Sequence, residues 1–353
     1  MRLEVFPAGD GDCFLLSYGA PARHVLVDGG RKGAYRSLRP RLAEVAATGA
    51  ELSLFVLTHI DADHIEGVLA FAEDEAPPIR VREVWYNGFD QMSQVEVLGE
   101  QQGDDFSNAL RGLKWPWNRT FAGRAVQVEA QPTPFVRDGL VLTLVSPDAE
   151  KLREMRRRWD KWRTKQAAAA SAEAAARTAR GVPDHLEIMG PKPMPRVLDV
   201  PALAAPSRHD PEAPNGSSIA FLAEADERRI LLTGDAHPDL LARTLQPLAA
   251  GDGGRLRVDL LKVSHHGSAG NTTAELLALL DCPAFLFSTN GSHHGHPDPE
   301  TVARVLETPA QGPRTLYFNY ATAWTAPWDD AAMKARYDYR CVYGDAGRLT
   351  IEV

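Results

Sequence analysis

Four short apolar segments of this chain end abruptly in aspartate or histidine, and this pattern constrains the fold more than any other feature. The segments end at Asp28, at residues 58–64 (Thr-His-Ile-Asp-Ala-Asp-His), at Asp235 and at the pair His265 and His266. Short apolar runs bounded by turn residues are typical of buried strands. Because ligands bind at the carboxyl ends of strands in layered α/β folds, we expect these strand ends to meet at one site.

The remaining pattern predicts an α/β fold. Strands are expected over residues 3–6, 13–18, 24–27, 52–57, 81–86, 140–145, 218–222, 229–232, 256–263 and 284–288, and helices over residues 35–47, 63–72, 238–249, 273–280 and 299–306. Residues 150–214 differ in character, because a basic stretch leads into an alanine-rich run of high helix propensity and then into a proline-rich loop. We expect a single domain over residues 1–353 that is interrupted by this insertion.

Composition limits the class of protein and its partners. The 353 residues are 44% apolar and 24% charged, which provides enough apolar material for a large core. The net charge of −8 gives no overall positive field, so a nucleic acid would have to be held by local cations or by metals. Three widely spaced cysteines, no leader-like N-terminal stretch and no apolar run of bilayer length predict a cytoplasmic protein without membrane contact.

The densest cluster of potential metal ligands lies in residues 58–64. His59, Asp61, Asp63 and His64 place four donor side chains within six residues. A tight loop can direct alternate residues of such a segment to one metal and the adjacent Asp-His pair to a second. The alternative is a solvated acidic turn in which Asp63 caps a helix.

Side chains beside the other strand ends follow less specific patterns. Asp28 is interpreted as an acceptor that orients a ligand, and Asp235 as a carboxylate that could bridge two cations. Lys262 could donate to a ligand carboxylate, although a lysine whose stem covers a strand edge is equally common. Ser268 and the polar residues 271–272 precede an expected helix and could either hold an anion or cap that helix.

A Gly-His-Pro motif at residues 295–297 follows a strand of its own and could reach the same crevice. Histidine suits proton transfer near neutral pH, so His296 is a candidate proton donor to a leaving group. For His293 and His294, an exposed loop rich in turn-forming residues is an equally good explanation.

Taken in order, these motifs resemble those of the metallo-β-lactamase superfamily, and in particular its ComEC-like branch of soluble hydrolases. The similarity covers nearly all of the chain outside about 90–214. It rests on a glycine-rich opening at 9–13, Asp-Gly-Gly at 28–30, His-x-Asp-x-Asp-His at 59–64, an Asn-Gly-Ser-Ser turn at 215–218, Thr-Gly-Asp at 233–235, His-His-Gly-Ser at 265–268 and Gly-His-Pro at 295–297. The resemblance implies a four-layer αβ/βα sandwich with a helical and loop insertion.

The resemblance also implies a ligand set for two divalent metal ions. The expected ligands are His59 and Asp61 for the first ion, Asp63, His64 and either His265 (preferred) or His266 for the second, and Asp235 as the bridge. Many members of the superfamily have a further histidine where Asn215 stands here, so the first ion would have one imidazole. Oxygen-rich coordination shifts the preference toward Mn²⁺ or Mg²⁺, with Zn²⁺ still possible.

Three functions remain open. The first is a phosphodiesterase or nuclease in which a metal-bridged hydroxide attacks phosphorus and Asp63 and His296 take part in catalysis, because two metals about 3.5–4 Å apart clamp both oxygens of an in-line displacement. The second is a hydrolase of a lactone, thioester or amide. The third is a non-catalytic, metal-stabilised module for a protein partner encoded by a neighbouring gene, as in bacterial defence systems, which the complete ligand set disfavours.

Overall fold

Two β-sheets lie face to face in this protein, and helices cover both outer faces. The computed structural model describes residues 1–92, 101–130, 134–175 and 193–353. One core lies between the sheets, and the other two join each sheet to its own helices. This arrangement is the predicted αβ/βα sandwich of four layers.

The strands form a six-stranded sheet of order β16-β1-β2-β3-β4-β5, an eight-stranded sheet of order β15-β14-β13-β11-β9-β8-β7-β6, and a separate pair β10-β12. Their bounds are β1 (Arg2–Val5), β2 (Phe14–Tyr18), β3 (Arg23–Val27), β4 (Leu52–Val56), β5 (Val84–Trp85), β6 (Phe135–Arg137), β7 (Leu140–Ser146), β8 (Ala220–Ala225), β9 (Arg228–Leu232), β10 (Leu256–Arg257), β11 (Leu260–Lys262), β12 (Leu280–Asp281), β13 (Ala284–Phe287), β14 (Arg314–Phe318), β15 (Tyr339–Tyr343) and β16 (Leu349–Glu352).

The α-helices of the described residues lie on the outer faces of the sheets or in the connections. Their bounds are α1 (Tyr35–Ala47), α2 (Ala62–Ala72), α3 (Gln101–Leu113), α4 (Ala149–Ala175), α5 (Val200–Leu203), α6 (Ala213–Gly216), α7 (Pro238–Gly251), α8 (Ala274–Ala278), α9 (Pro299–Glu307) and α10 (Ala331–Tyr337). Helices α1 to α4 contribute to the core on the six-stranded sheet, and α5, α7, α8 and α9 to the core on the eight-stranded sheet.

Alternation along the central strands explains how one sheet serves two cores. In β3, Val25 and Val27 pack between the sheets, whereas Leu26 packs under the helices. In β4, Val56 packs between the sheets and Phe55 packs under the helices. Because successive side chains of a strand point to opposite faces, such apolar runs are buried on both sides, as strands sandwiched between layers require.

Two regions differ from the sequence-based prediction, in addition to β6, β14, α10, β15 and β16, which it did not include. The polar stretch before Trp117 contains α3, whose Phe106 and Leu110 are buried four residues apart, the spacing of one helical face. The strand expected over residues 256–263 is divided into β10 and β11, which belong to different sheets.

The insertion begins with one continuous helix over its basic and alanine-rich parts as far as residue 175. Trp159 is fully buried in the core beside Phe89, with ring centroids 5.5 Å apart. The expected proline-rich loop carries α5 and α6 in its second half, and its residues 181–192 lie outside the described part of the chain.

All three cysteines are free thiols, as their spacing suggested. Within the described ranges, none of the helices combines the length and the apolar character that crossing a bilayer requires.

Candidate metal centre

The first half of the site forms where the parallel strands β3 and β4 end side by side. Asp28 follows β3 and is fully buried. Its carboxylate accepts hydrogen bonds from the Thr58 backbone N–H at 2.7 Å, from the Thr58 hydroxyl at 2.8 Å and from His64 Nδ1 at 2.9 Å. Since Nδ1 of His64 donates to Asp28, its Nε2 is the ring nitrogen that can bind a metal. Asp28 thus has the contacts of a ligand-orienting acceptor.

Close backbone packing holds the start of α2 in the site. The helix begins at Ala62, and its first turn carries Asp63 and His64. A Cβ atom on Gly67 would lie 1.9 Å from the carbonyl oxygen of Gly29, so only glycine permits this approach of helix to strand end. This close contact therefore fixes the position of α2, and with it the positions of Asp63 and His64, relative to the strand end.

The second half of the site forms at the ends of β9 and β11, which are parallel neighbours in the eight-stranded sheet. Asp235 follows β9, and a 3₁₀ turn over Ser264–Gly267 follows β11. His265 and His266 in this turn have φ values of 48° and 56°, in the left-handed region. This backbone brings both adjacent imidazoles to Asp235.

Asp235 is the centre of the cluster. It is 2% exposed, and one of its oxygens, Oδ2, has four imidazole nitrogens around it. The distances from this oxygen to Nε2 are 3.3 Å for His64, 3.4 Å for His266, 3.6 Å for His59 and 3.9 Å for His265. One carboxylate oxygen surrounded by potential nitrogen ligands is the arrangement expected of a carboxylate shared by two cations.

Asp63, His64 and His266 form one potential coordination position. His266 Nε2 lies 3.1 Å from Asp63 Oδ2 and 3.2 Å from His64 Nε2. His266 Nδ1 donates to the carbonyl oxygen of Ser288 at 2.8 Å, which leaves Nε2 available. The turn thus places His266 beside Asp63, whereas His265 was the preferred histidine for this position in the prediction.

His59 and Asp61 belong to a second potential position. His59 Nε2 lies 3.7 Å from Asp61 Oδ2 and is buried without a hydrogen-bond partner. A buried ring nitrogen without a partner is costly unless a ligand interacts with it, so His59 fits a cation ligand. His265 shares Asp235 Oδ2 with His59 and is placed to supply a further imidazole here.

The other ring nitrogen of His265 contacts Asn271 and Asp210, and neither contact was predicted from the sequence. His265 Nδ1 lies 3.0 Å from Asn271 Oδ1 and 3.3 Å from Asp210 Oδ2. Asp210 Oδ2 also accepts hydrogen bonds from Asn215 at 2.7 Å and from Asn271 at 2.9 Å. Burial opposes ionisation of Asp210, but the hydrogen bonds from His265 and from the Glu212 backbone hold its pKa well below the usual value. Asn215 therefore supports the Asp210 carboxylate where the resemblance suggested another histidine.

Lys262 is completely buried beside the Asp235 carboxylate. Its Nζ donates to the Gly234 carbonyl at 3.0 Å, lies 3.5 Å from Asp235 Oδ1 and forms a close ion pair with Asp12. Burial alone would lower the pKa of Lys262, but the carboxylates of Asp12 and Asp235 outweigh it and raise the pKa. Lys262 thus faces Oδ1 of Asp235 while Oδ2 faces the imidazoles. Asp12 was missed, since it stood in the glycine-rich opening without any ligand-like spacing.

The charges of the cluster fit divalent cations. Burial opposes ionisation of Asp63 and Asp235, yet the nearby imidazoles hold the pKa of both carboxyl groups well below normal. Burial would likewise lower the pKa of His64 and His266, but the carboxylates raise it well above normal. Imidazoles that gather protons beside buried carboxylates can exchange those protons for metal ions. Among the described residues, His64, Asp235, His266 and Asp12 each have a potential ligand atom within 4.8 Å of those of the other three.

A cavity of about 210 Å³ opens beside the cluster. Besides the ligand candidates, it is lined by Ala62 and by the polar residues Asp10, Arg31, Thr289, His293, His294 and His296. The ring of His296 lies 5.6 Å from that of His265, and its Nδ1 lies 3.4 Å from Asp298 Oδ1. His296 therefore reaches the crevice, and His293 and His294 line it as well. Ser268 lines an adjoining groove, and its hydroxyl accepts the Gly270 N–H at 3.3 Å.

Comparison with known proteins gives one family match and several structural likenesses. A family model described as the metallo-beta-lactamase superfamily matches residues 7–291, a range that includes every ligand candidate of the cluster. No curated protein matches the sequence.

The structural likenesses extend over the whole chain at low identity. Zn²⁺-bound PqqB from Methylobacterium extorquens is 11% identical, with 100% of both chains covered and a TM-score of 0.41. A diphosphatase from the PhnP family is 10% identical, with 100% of this chain and 98% of that chain covered and a TM-score of 0.42. The short form of human tRNase Z is 9% identical, with 100% and 99% covered and a TM-score of 0.39.

Proposed function

Because the chain belongs to the metallo-beta-lactamase superfamily, whose members are metal-dependent hydrolases, we propose that it binds two divalent cations and hydrolyses a phosphodiester. The observation that carries this proposal is the approach of four imidazole Nε2 atoms to within 3.9 Å of Asp235 Oδ2. The proposed ligands are His59, Asp61 and His265 for the first ion, Asp63, His64 and His266 for the second, and Asp235 for both.

This ligand set changes the expected metal. Each position has two imidazoles, one carboxylate of its own and a share of Asp235, whereas one imidazole was expected in the first position. Additional nitrogen donors favour zinc over magnesium, and the carboxylates remain compatible with manganese. We therefore propose zinc or manganese as the bound ions.

When bound, the two cations supply the positive charge that lowers the pKa of water and stabilises the attacking and leaving oxygens. The protein's own contribution is to bind, orient and transfer protons. His296 lines the cavity with its Nδ1 beside Asp298, so it is placed to transfer a proton at a leaving oxygen, and burial lowers the pKa of its ring. Asp63 also lines the cavity and is 19% exposed, so its carboxylate can accept a hydrogen bond from water.

The cavity lining supports a phosphodiester over an acyl substrate. Among the residues that line the described cavity, only Ala62 is apolar. Arg31, Thr289 and His294 add hydrogen-bond donors to the metal side chains, which suits the several oxygens of a phosphoryl group. Sites for uncharged organic substrates are instead lined mostly by apolar side chains.

A metal analysis combined with a substrate screen tests the proposal. Wild-type protein, Asp63→Ala and the control Glu307→Ala, which removes an exposed carboxylate of α9, are compared with added Zn²⁺ or Mn²⁺ on phosphodiester, lactone and thioester substrates. We expect two ions per chain in the wild type and phosphodiester hydrolysis that is lost only in Asp63→Ala. A wild type without metal, or equal activity of Asp63→Ala, contradicts the proposal. If only the lactone or thioester is hydrolysed, the proposed substrate class changes from a phosphodiester to an acyl derivative.

A further inference from the structure

Arg304 in α9 is a buried arginine whose hydrogen-bond acceptors in the described residues are uncharged. It is 2% exposed, and burial lowers the pKa of its guanidinium. The carboxylates of Glu300, Glu275 and Asp298 act against this lowering of the pKa but do not outweigh burial. Its nitrogens donate to the carbonyl oxygens of Ala205 at 2.6 Å, Ala269 at 2.8 Å, Thr272 at 2.9 Å and Ala204 at 3.4 Å, and to the hydroxyl of Ser207. Burying a charge is costly unless such hydrogen bonds compensate it.

The acceptors of Arg304 lie on two segments that are far apart in sequence. Residues 204–207 belong to the end of the insertion and precede Asp210, whereas residues 269–272 follow His265 in the metal-site loop. A backbone hydrogen bond from Asp210 N to Gly270 O, at 3.2 Å, joins the same two segments. Arg304 therefore holds the end of the insertion against this loop by hydrogen bonds to both segments.

Each of the two joined segments contributes one side chain that contacts His265 Nδ1. Asp210 from the insertion and Asn271 from the loop lie 3.3 Å and 3.0 Å from His265 Nδ1, and they are bonded to each other at 2.9 Å. Since a carboxylate on one ring nitrogen fixes the orientation of the other, Asp210 directs His265 Nε2 toward Asp235. A shift of the insertion would remove this support.

We propose that Arg304 is a positioning residue for the first metal position, and that the insertion serves this position by delivering Asp210. The inference rests on the proposed function only in taking His265 as a metal ligand. The rigid fork of five donors on arginine can reach oxygens of both segments at once, whereas methionine has no donor and lysine carries its three donors on a single nitrogen. The hydrogen bonds that join the two segments involve none of the proposed ligands of the second position, which are Asp63, His64 and His266.

The test compares Arg304→Met with Arg314→Met. Arg314 in β14 is 7% exposed, burial also lowers its pKa, and it donates to the carbonyl oxygen of Thr308. Both variants lose a buried guanidinium, so both are expected to have a lower melting temperature. Only Arg304→Met should bind one of its two ions about 10–100-fold more weakly, as measured by metal titration and by the visible spectrum of the Co²⁺ form.

Arg304→Lys with Asp210→Asn completes a double-mutant cycle that remains available if Arg304→Met does not fold. If Arg304 acts through Asp210, each single variant weakens the first ion and the double variant weakens it little further. Unchanged affinity in both Arg304 variants, additive effects in the cycle, or equal metal loss in Arg314→Met overturns the inference. A wild-type protein that binds fewer than two ions contradicts the proposed function instead.

Discussion

His265 and His266 are consecutive in the chain, yet their Nε2 atoms reach Asp235 from two different groups of partners. His266 lies 3.1 Å from Asp63 Oδ2, whereas His265 lies 3.3 Å from Asp210 Oδ2 through its other ring nitrogen. The left-handed backbone at both residues produces this divergence. The two adjacent histidines therefore belong to two different groups of potential ligands.

Paired substitutions should assign each histidine to its ion. His266→Ala and Asp63→Ala remove ligands of the same proposed position, so the double variant should still bind one ion. His265→Ala with Asp63→Ala removes a ligand from each position, so this double variant should bind neither ion tightly. Metal content after dialysis against micromolar Zn²⁺ measures both results.

The control for this experiment is His24→Ala, which removes a buried histidine of β3 that lies 2.9 Å from Ser17. It should retain two ions. One retained ion in the His265/Asp63 variant, together with none in the His266/Asp63 variant, would reverse the assignment.

Removal of metal should destabilise the fold, because carboxylates and imidazoles then share a buried site without cations. A ligand present at 1,000 times its Kd stabilises the native state by about 4 kcal/mol. For a chain of this size, that corresponds to a fall in melting temperature of roughly 5 °C on chelation. Differential scanning fluorimetry with and without EDTA measures the change. The melting temperature of Asp63→Ala combined with His265→Ala should not respond to EDTA, and an equal response there would count against a metal effect.

Lys262→Met should destabilise the protein strongly, because it leaves the Asp12 carboxylate buried without its cation. Breaking one partner of a buried ion pair costs about 3–5 kcal/mol. Adding Asp12→Asn to Lys262→Met removes the unpaired charge and should recover more than half of the loss in urea unfolding. Lys334→Met, at an exposed ion pair with Asp329, should change stability little. Failure of Asp12→Asn to recover stability would show that charge is not the cause.

Gly67→Ala should displace α2 and weaken the site at a distance from the ligands. The added Cβ would meet the Gly29 carbonyl at 1.9 Å, and such overpacking costs about 1–3 kcal/mol. Gly112→Ala in α3 is the matched control, since its Cβ would meet nothing within 4 Å and alanine favours a helix by up to about 1 kcal/mol. Chemical unfolding and metal affinity should therefore both fall in Gly67→Ala, and neither should fall in Gly112→Ala.

Much of the fold could be predicted because its signals are local. The helix at residues 35–47 has the predicted bounds, and the strands before Asp28 and Asp235 were recognised from short apolar runs. The helix α3 was missed although Phe106 and Leu110 have helical spacing, because its polar residues and Gly103 obscured the apolar face.

The supporting residues of the site could not be predicted in the same way. Asp210 contacts His265 across 55 positions of sequence, from a proline-rich loop that resembles an ordinary turn. Asp12 contacts Lys262 across 250 positions of sequence. Such contacts form only when distant parts of the chain pack together. No periodic pattern of neighbouring residues in the sequence indicates them.

The sequence by itself determined the layered fold and the kinds of candidate ligand, because strand ends and the spacing of residues 59–64 are properties of neighbouring residues. Only the tertiary structure decided that His266 joins Asp63 and that His265 is supported by Asp210. The physical reason is that two adjacent left-handed residues can direct their side chains in ways that spacing does not encode. The buried Arg304 then holds the insertion, by hydrogen bonds, against the loop that follows these two histidines.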